Sequence, residues 1–185
     1  MEIKGTAVKA IRDFVKTNYS DKFNDWLEAL PLGSKRIFSG KIDSSKWYQL
    51  REGGISPTRI IGELFYSGNF NVAALESGKY SAQKALSGIY NALIKTSSPS
   101  HILNSTPKIF ATYYRPGQLT VKNKKDNEVT LQISNMTEND DVIEHRIAGW
   151  LYKALEISGA KSVRIEFTKS MAKGDAVTQL DIQWT

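Results

Sequence analysis

Asp140-Asp141-Val142-Ile143-Glu144-His145-Arg146-Ile147-Ala148-Gly149-Trp150-Leu151 begins the stretch, ending at Trp184, whose pattern decides the fold. Val142, Ile143, Ile147, Trp150, Leu151, Ala154, Leu155 and Ile157 recur at helical spacing, so one apolar helix face must lie against something flat. After Gly159 the pattern changes. Val163, Ile165 and Phe167 alternate with Arg164 and Glu166, the two-residue period of a half-buried strand. Lys173-Gly174-Asp175 supplies turn chemistry, and Thr178, Leu180, Ile182 and Trp184 then share a face of a closing strand. A helix lying on a hairpin is the unit this stretch predicts, and it contains no reaction centre.

Before it, Lys108 to Arg115 is β-branched and aromatic, Pro116-Gly117 makes a turn, and Gln118 to Val121 alternates. Asp126-Asn127 makes a second turn, after which Val129, Leu131 and Ile133 alternate again. The expectation is a three-stranded meander whose first strand carries Phe110, Thr112 and Tyr114 on one face.

The N-terminal half reads as helical. Val8, Ile11, Phe14 and Val15 give one helix over 5–17, and Phe23, Trp26, Leu27 and Leu30 a second, closed by Pro31-Leu32-Gly33-Ser34. Ile37 to Ser45 is a connector whose end caps a short helix with Trp47 and Tyr48. Ser56-Pro57 starts a helix that Gly68 ends. A long apolar stripe over 71–95 includes Tyr80 and Tyr90, with Gly78 marking a break, and Ser98-Pro99 caps a short helix over His101 to Asn104. Helices first and strands later signal an α+β fold: an N-terminal helical layer (1–106) on an antiparallel sheet of about five strands (107–185), one domain over 1–185.

At 185 residues, 41% hydrophobic and 24% charged, the composition is that of a globular chain with one buried core. No apolar run reaches the roughly 20 residues of a membrane span, and Met1 to Gly5 lacks a secretion signal, so a soluble cytoplasmic protein is expected. The absence of cysteine removes disulfides, thiolate metal sites and thiol nucleophiles; His101 and His145 alone are too few for a multi-histidine centre. A net charge of +6 invites a nucleic-acid reading, but its densest cluster, Lys122-Asn123-Lys124-Lys125, sits at an expected hairpin turn, so no nucleic-acid partner is expected.

Phosphate loops, nucleophile elbows and metal-binding helices are absent. Glu144-His145 is an acid/base pair only if adjacent helical side chains converge, and they diverge, so His145 reads as structural. Asp140-Asp141 opposes the helix macrodipole. Asp175 is either a turn former or a carboxylate ligand.

Several stretches together resemble one family. They are Trp47-Tyr48, Gly78 through Tyr90, Ser98-Pro99 with Ile102-Leu103, Tyr113-Tyr114-Arg115-Pro116-Gly117-Gln118-Leu119, Ala148-Gly149-Trp150, and Gly174-Asp175 with Ile182-Gln183-Trp184. In order and spacing they look like an uncharacterised bacterial family of myxobacterial-type proteins of about 20 kDa, the size of this chain at 20.7 kDa. That family is distantly similar to the ligand-binding fold of haem–nitric-oxide sensors, 4-vinyl-reductase-like domains and vesicle-tethering TRAPP subunits. The resemblance implies helices on an antiparallel sheet with a ligand cavity between.

Haem-holding relatives bind iron through a histidine on the helix before the first strand and grip the propionates with a Tyr-x-Ser-x-Arg strand. Here that helix offers Lys95, His101 falls later, and the strand reads Leu131-Gln132-Ile133-Ser134-Asn135. The 4-vinyl-reductase-like pattern places cysteines around the Gly-Asp turn, where this chain has Ser170 and Thr178. No haem, zinc or other cofactor is therefore expected. The leading expectation is a non-enzymatic domain that binds a small apolar or aromatic molecule and signals through a homodimer or a partner protein. The alternative is an adaptor module with a filled core. Trp47, Tyr48, Tyr80, Tyr90, Phe110 and Tyr114 are the candidates to line a pocket between the layers.

Overall fold

The computed structural model describes residues 1–87 and 98–185. Its first departure from expectation is a three-stranded antiparallel sheet at the N-terminus. Glu2–Lys4 (β1) is central, with Trp47–Gln49 (β2) on one side and Tyr114–Arg115 (β3) on the other. Trp47 and Tyr48 therefore lie on a strand rather than in a capped short helix. The Asp43 carboxylate accepts instead from the Ser45 N–H (2.9 Å) and hydroxyl (2.7 Å), closing its own turn. Strands this short carry no readable period; what makes them strands is pairing with residues distant in sequence.

Gly5–Asn18 (α1), Phe23–Ala29 (α2), Leu32–Ser39 (α3), Ser56–Phe65 (α4) and Phe70–Ser87 (α5) form the helical layer. The expected helices over 5–17 and 21–30 are present. Pro31, read as a terminator, also begins α3: its fixed φ suits a helix start, and Gly33-Ser34 fall inside that helix. The expected connector from Ile37 is thus helical only as far as Ser39. Trp26 anchors this layer, fully buried, with its Nε1–H donating to the Pro57 carbonyl (3.2 Å) and Phe38 edge-on to its ring at 5.1 Å.

Pro99–Tyr113 (α6) replaces both the short helix over His101 to Asn104 and the first strand of the meander. Ile102, Leu103, Thr106, Ile109, Phe110 and Tyr113 are its buried stripe, at helical spacing. The β-branched and aromatic residues of 108–115 misled because burial of this stripe outweighs intrinsic strand preference. Pro107 sits inside the helix and has no N–H for the Leu103 carbonyl, which accepts the Thr106 hydroxyl (2.7 Å) in its place. Helical structure thus runs to Tyr113, past the expected division at 106/107.

Gln118–Lys125 (β4), Glu128–Ser134 (β5), Arg164–Lys169 (β6) and Thr178–Gln183 (β7) form the second sheet, antiparallel throughout in the order β4-β5-β7-β6. Four strands here and three at the N-terminus stand in place of one sheet of about five. Leu131 pairs with Leu180, Val129 with Ile182 and Phe167 with Leu180, so apolar rows cross the inner face. Thr130–Asp181 and Gln132–Gln179 side-chain hydrogen bonds, both 2.8 Å, occupy the outer face.

Asp141–Ile157 (α7) opens as expected, with the Asp140 carboxylate accepting the Val142 N–H (3.0 Å). Asp140 and Asp141 also accept from Arg59 Nη2 at 2.9 and 2.8 Å, tying α7 to α4. Gly78 does not break α5, which runs through it unbroken. A Cβ at Gly78 would lie 2.1 Å from the Arg146 carbonyl oxygen, and one at Gly149 2.1 Å from that of Leu75. Glycine on both sides lets α5 and α7 cross backbone to backbone.

Trp184 is 6% exposed although next to the C-terminus, and its backbone N–H donates to the Asn127 carbonyl (3.1 Å). Trp184→Ala is expected to cost about 3 to 5 kcal/mol in a denaturation experiment, as core aromatic truncations do. An unchanged midpoint would show a frayed tail. Among the described residues, no helix is long and apolar enough to cross a membrane.

Candidate functional site

The close crossing of α5 and α7 brings Arg146 under a small cavity walled by Ala7 of α1, Gly78 and Ser81 of α5, and Thr106, Ile109, Phe110 and Tyr113 of α6. Tyr114, Leu119 and Ile147, Trp150 and Leu151 of α7 complete it. Its volume is about 40 Å³, room for two to four water-sized groups.

Arg146 is 2% exposed. Its Nη2–H donates to the Ala7 carbonyl (3.2 Å), its Nη1–H to the Ser77 hydroxyl, and the Tyr114 phenol interacts with it electrostatically. All three partners are neutral, and no carboxylate among the described residues lies within ion-pair distance. Burial pulls the guanidinium pKa below its ordinary value and Tyr114 draws it back; burial pushes the Tyr114 phenol up and Arg146 opposes. Guanidinium is basic enough to stay charged, so the site holds a desolvated cation. One turn further on, the buried Trp150 Nε1–H has no hydrogen-bond acceptor among the described residues.

Of the six candidate residues, the structure brings Phe110 and Tyr114 together at this cavity, ring centroids 5.2 Å apart. Phe110 lies in the last turn of α6 and Tyr114, four residues on, opens β3, so the two do not share one strand face. Trp47 lies beside the Lys4 ammonium (4.9 Å) and the Arg115 guanidinium (4.2 Å), away from the cavity. The Tyr48 hydroxyl accepts the Asp43 N–H (2.9 Å). Tyr80 packs edge-on to Phe14 and bonds the Thr17 hydroxyl (2.9 Å), outside the cavity wall. Tyr90 lies outside the described residues.

Arg146 and Trp150 were missed as site residues. The signal was present: Arg146 sits three residues after Ile143 and four before Trp150, so it interrupts the apolar stripe of α7 with a charge.

A second polar cluster ties α7 to the loop before β7. Glu144 is 4% exposed and accepts from the Ser170 hydroxyl (2.6 Å), the Ala172 N–H (3.2 Å) and the Thr178 hydroxyl. Asp175 accepts the Ser170 N–H (2.7 Å), as its turn-forming reading requires. His145 points elsewhere, its Nδ1 at 2.8 Å from the Asp141 carbonyl and its ring 4.6 Å from that of Phe167. The two do not form an acid/base pair. Glu144 fastens the fold, because its donors satisfy it completely. The Lys122-to-Lys125 cluster lies largely exposed at the end of β4, with Lys125 paired to Glu128.

No family model matches the sequence, and neither does any curated protein. Solved structures do match in fold. An H-NOX protein from S. oneidensis in its Fe(II)NO ligation state superposes with a TM-score of 0.77 at 15% identity, covering 99% of each chain. Fe(II) unliganded H-NOX protein from K. algicida superposes with a TM-score of 0.72 at 15% identity, over 99% of this chain and 97% of that one. The chain therefore has the H-NOX fold.

Haem itself does not fit the residues present. About 40 Å³ is far below the roughly 300 to 1,000 Å³ of pockets that enclose cofactors. No histidine lines the cavity; His101 is exposed in the first turn of α6, ahead of the wall residues that begin at Thr106. Leu131 and Ile133 fill the core, and Gln132 is engaged with Gln179 on the outer face.

Proposed function

We propose that this chain is a non-enzymatic, cytoplasmic sensory domain that binds a small molecule without haem, in the cavity beside Arg146. The observation that carries the reading is a buried charge, without a carboxylate partner among the described residues, beside a cavity with a largely apolar wall. Buried charges are costly and are retained where they hold something or lock a structure. The fold supports a sensory role because its structural neighbours include proteins recorded with and without NO on their iron. A sensor without a catalytic centre would pass its state to a protein partner, a second copy included.

The adaptor reading draws on one specific observation: Phe110, Tyr113, Tyr114 and Trp150 crowd the cavity to about 40 Å³. Haem titration tests the absence of haem, with no stoichiometric Soret band expected; one haem per chain with a sharp Soret band would overturn it. Thermal melting against a panel of small molecules tests the binding reading, and an unresponsive protein would leave the adaptor standing.

A further inference from the structure

We propose that β6, an open edge of the second sheet, is a self-pairing surface at which two copies of this chain join antiparallel strands about a two-fold axis at Ile165. The dimer goes beyond the small-molecule reading and does not depend on it. β6 ends the strand order, and from Val163 to Thr168 no backbone group bonds outside the β7 ladder among the described residues. Such an edge is a template for one more strand. The apolar row on the inner face is also unfinished there: Leu180 and Ile182 of β7 are fully buried, whereas Phe167 and Ile165 opposite them, and Val163 before them, are only half-buried. An added strand would cover all three.

Charge selects the occupant. Arg164 and Glu166 are exposed on the outer face, and neither has an ion-pair partner among the described residues. Glu166 stands opposite Asp181 across the ladder, a like-charge pairing that is unfavourable in a sheet, and its free side lacks a cation. With Ile165 facing its own copy on the axis, position 164 of each chain falls opposite position 166 of the other. Arg164 then meets Glu166 on both sides of the axis, Val163 meets Phe167 on the inner face, and about four to six backbone hydrogen bonds close the edge. Moving the axis to either neighbour sets Arg164 or Glu166 against its own like charge, so the register is specified. β4, the other edge, carries Lys122, Lys124 and Lys125 and no acidic residue, and offers a copy of itself only like charge. A single strand pair is a small interface, so a reversible dimer with a Kd of roughly 1 to 100 µM is expected.

Sedimentation of the full chain at concentrations from about 1 to 500 µM tests this. The wild type is expected to dimerise reversibly. Arg164→Glu and Glu166→Arg should each weaken the dimer about tenfold, because like charges then face each other across the axis, and the double exchange Arg164→Glu with Glu166→Arg should restore it. Ile165→Cys should give a symmetric disulfide-linked dimer under mild oxidation, unambiguous because the chain has no cysteine of its own. A wild type that stays monomeric over that range overturns the proposal. So does a dimer that both single exchanges leave intact, or a loss of dimer in the single exchanges that the double exchange does not reverse.

Discussion

Gly149→Ala is expected to destabilise the protein by roughly 3 kcal/mol or more, against the sign that helix propensity gives. In an isolated helix, alanine for glycine is worth about 1 kcal/mol in the stabilising direction. Here the new Cβ would lie 2.1 Å from the Leu75 carbonyl oxygen, a backbone atom that no side-chain rotation can clear. Relief requires α5 and α7 to separate, which opens the packing along both helices and displaces Arg146 from Ser77 and Ala7. Gly78→Ala meets the Arg146 carbonyl at the same distance from the other side, so the double variant should cost less than the sum of the singles. Urea denaturation of the three variants measures this, and a wild-type or higher midpoint for Gly149→Ala would refute the close crossing.

Glu144→Ala is expected to cost about 3 to 5 kcal/mol, because it strands buried groups rather than simply deleting a contact. The Ser170 and Thr178 hydroxyls and the Ala172 N–H would lose their common acceptor. Glu144→Gln keeps a carbonyl oxygen in place and should cost distinctly less. Amide exchange in the turn around Met171–Lys173 separates the accounts: it should accelerate strongly in Glu144→Ala, and a protected Ala172 amide would mean that the cluster is incidental.

How much of this was legible follows from where pattern and packing agree. The closing helix and two strands were readable because apolar period, turn chemistry and cap all point the same way between Asp140 and Trp184. Residues 108–113 were not, since Ile109, Phe110 and Tyr113 favour a strand locally while their burial against α7 and the sheet makes a helix. Gly78 was misread for a related reason: glycine marks either a break or a close approach, and only its partner Gly149 on α7 decides which. The strands at Glu2 and Trp47 exist through pairing alone.

At the site, Phe110 and Tyr114 were associated for the wrong geometry: they were expected on one strand face, whereas Phe110 ends a helix and Tyr114 begins the strand after it. Trp47, Tyr48 and Tyr80 were grouped with them for their aromatic rings, which say nothing of position without the register of β2 or the facing of α5. Arg146 was passed over as the neighbour of His145. Its significance lies in the apolar residues on the same helix face, which bury it where no carboxylate follows.

The central claim, that the space beside Arg146 and Trp150 is a small-molecule site, is most directly tested by the indole N–H signals of the four tryptophans in a ¹H–¹⁵N spectrum. On titration with members of the small-molecule panel, the Trp150 signal should move saturably with at least one of them. That of Trp26, already bonded to the Pro57 carbonyl, and that of Trp184 should stay in place. Four indole signals unmoved by every member of that panel would contradict the claim and leave the cavity a packing gap in a filled core.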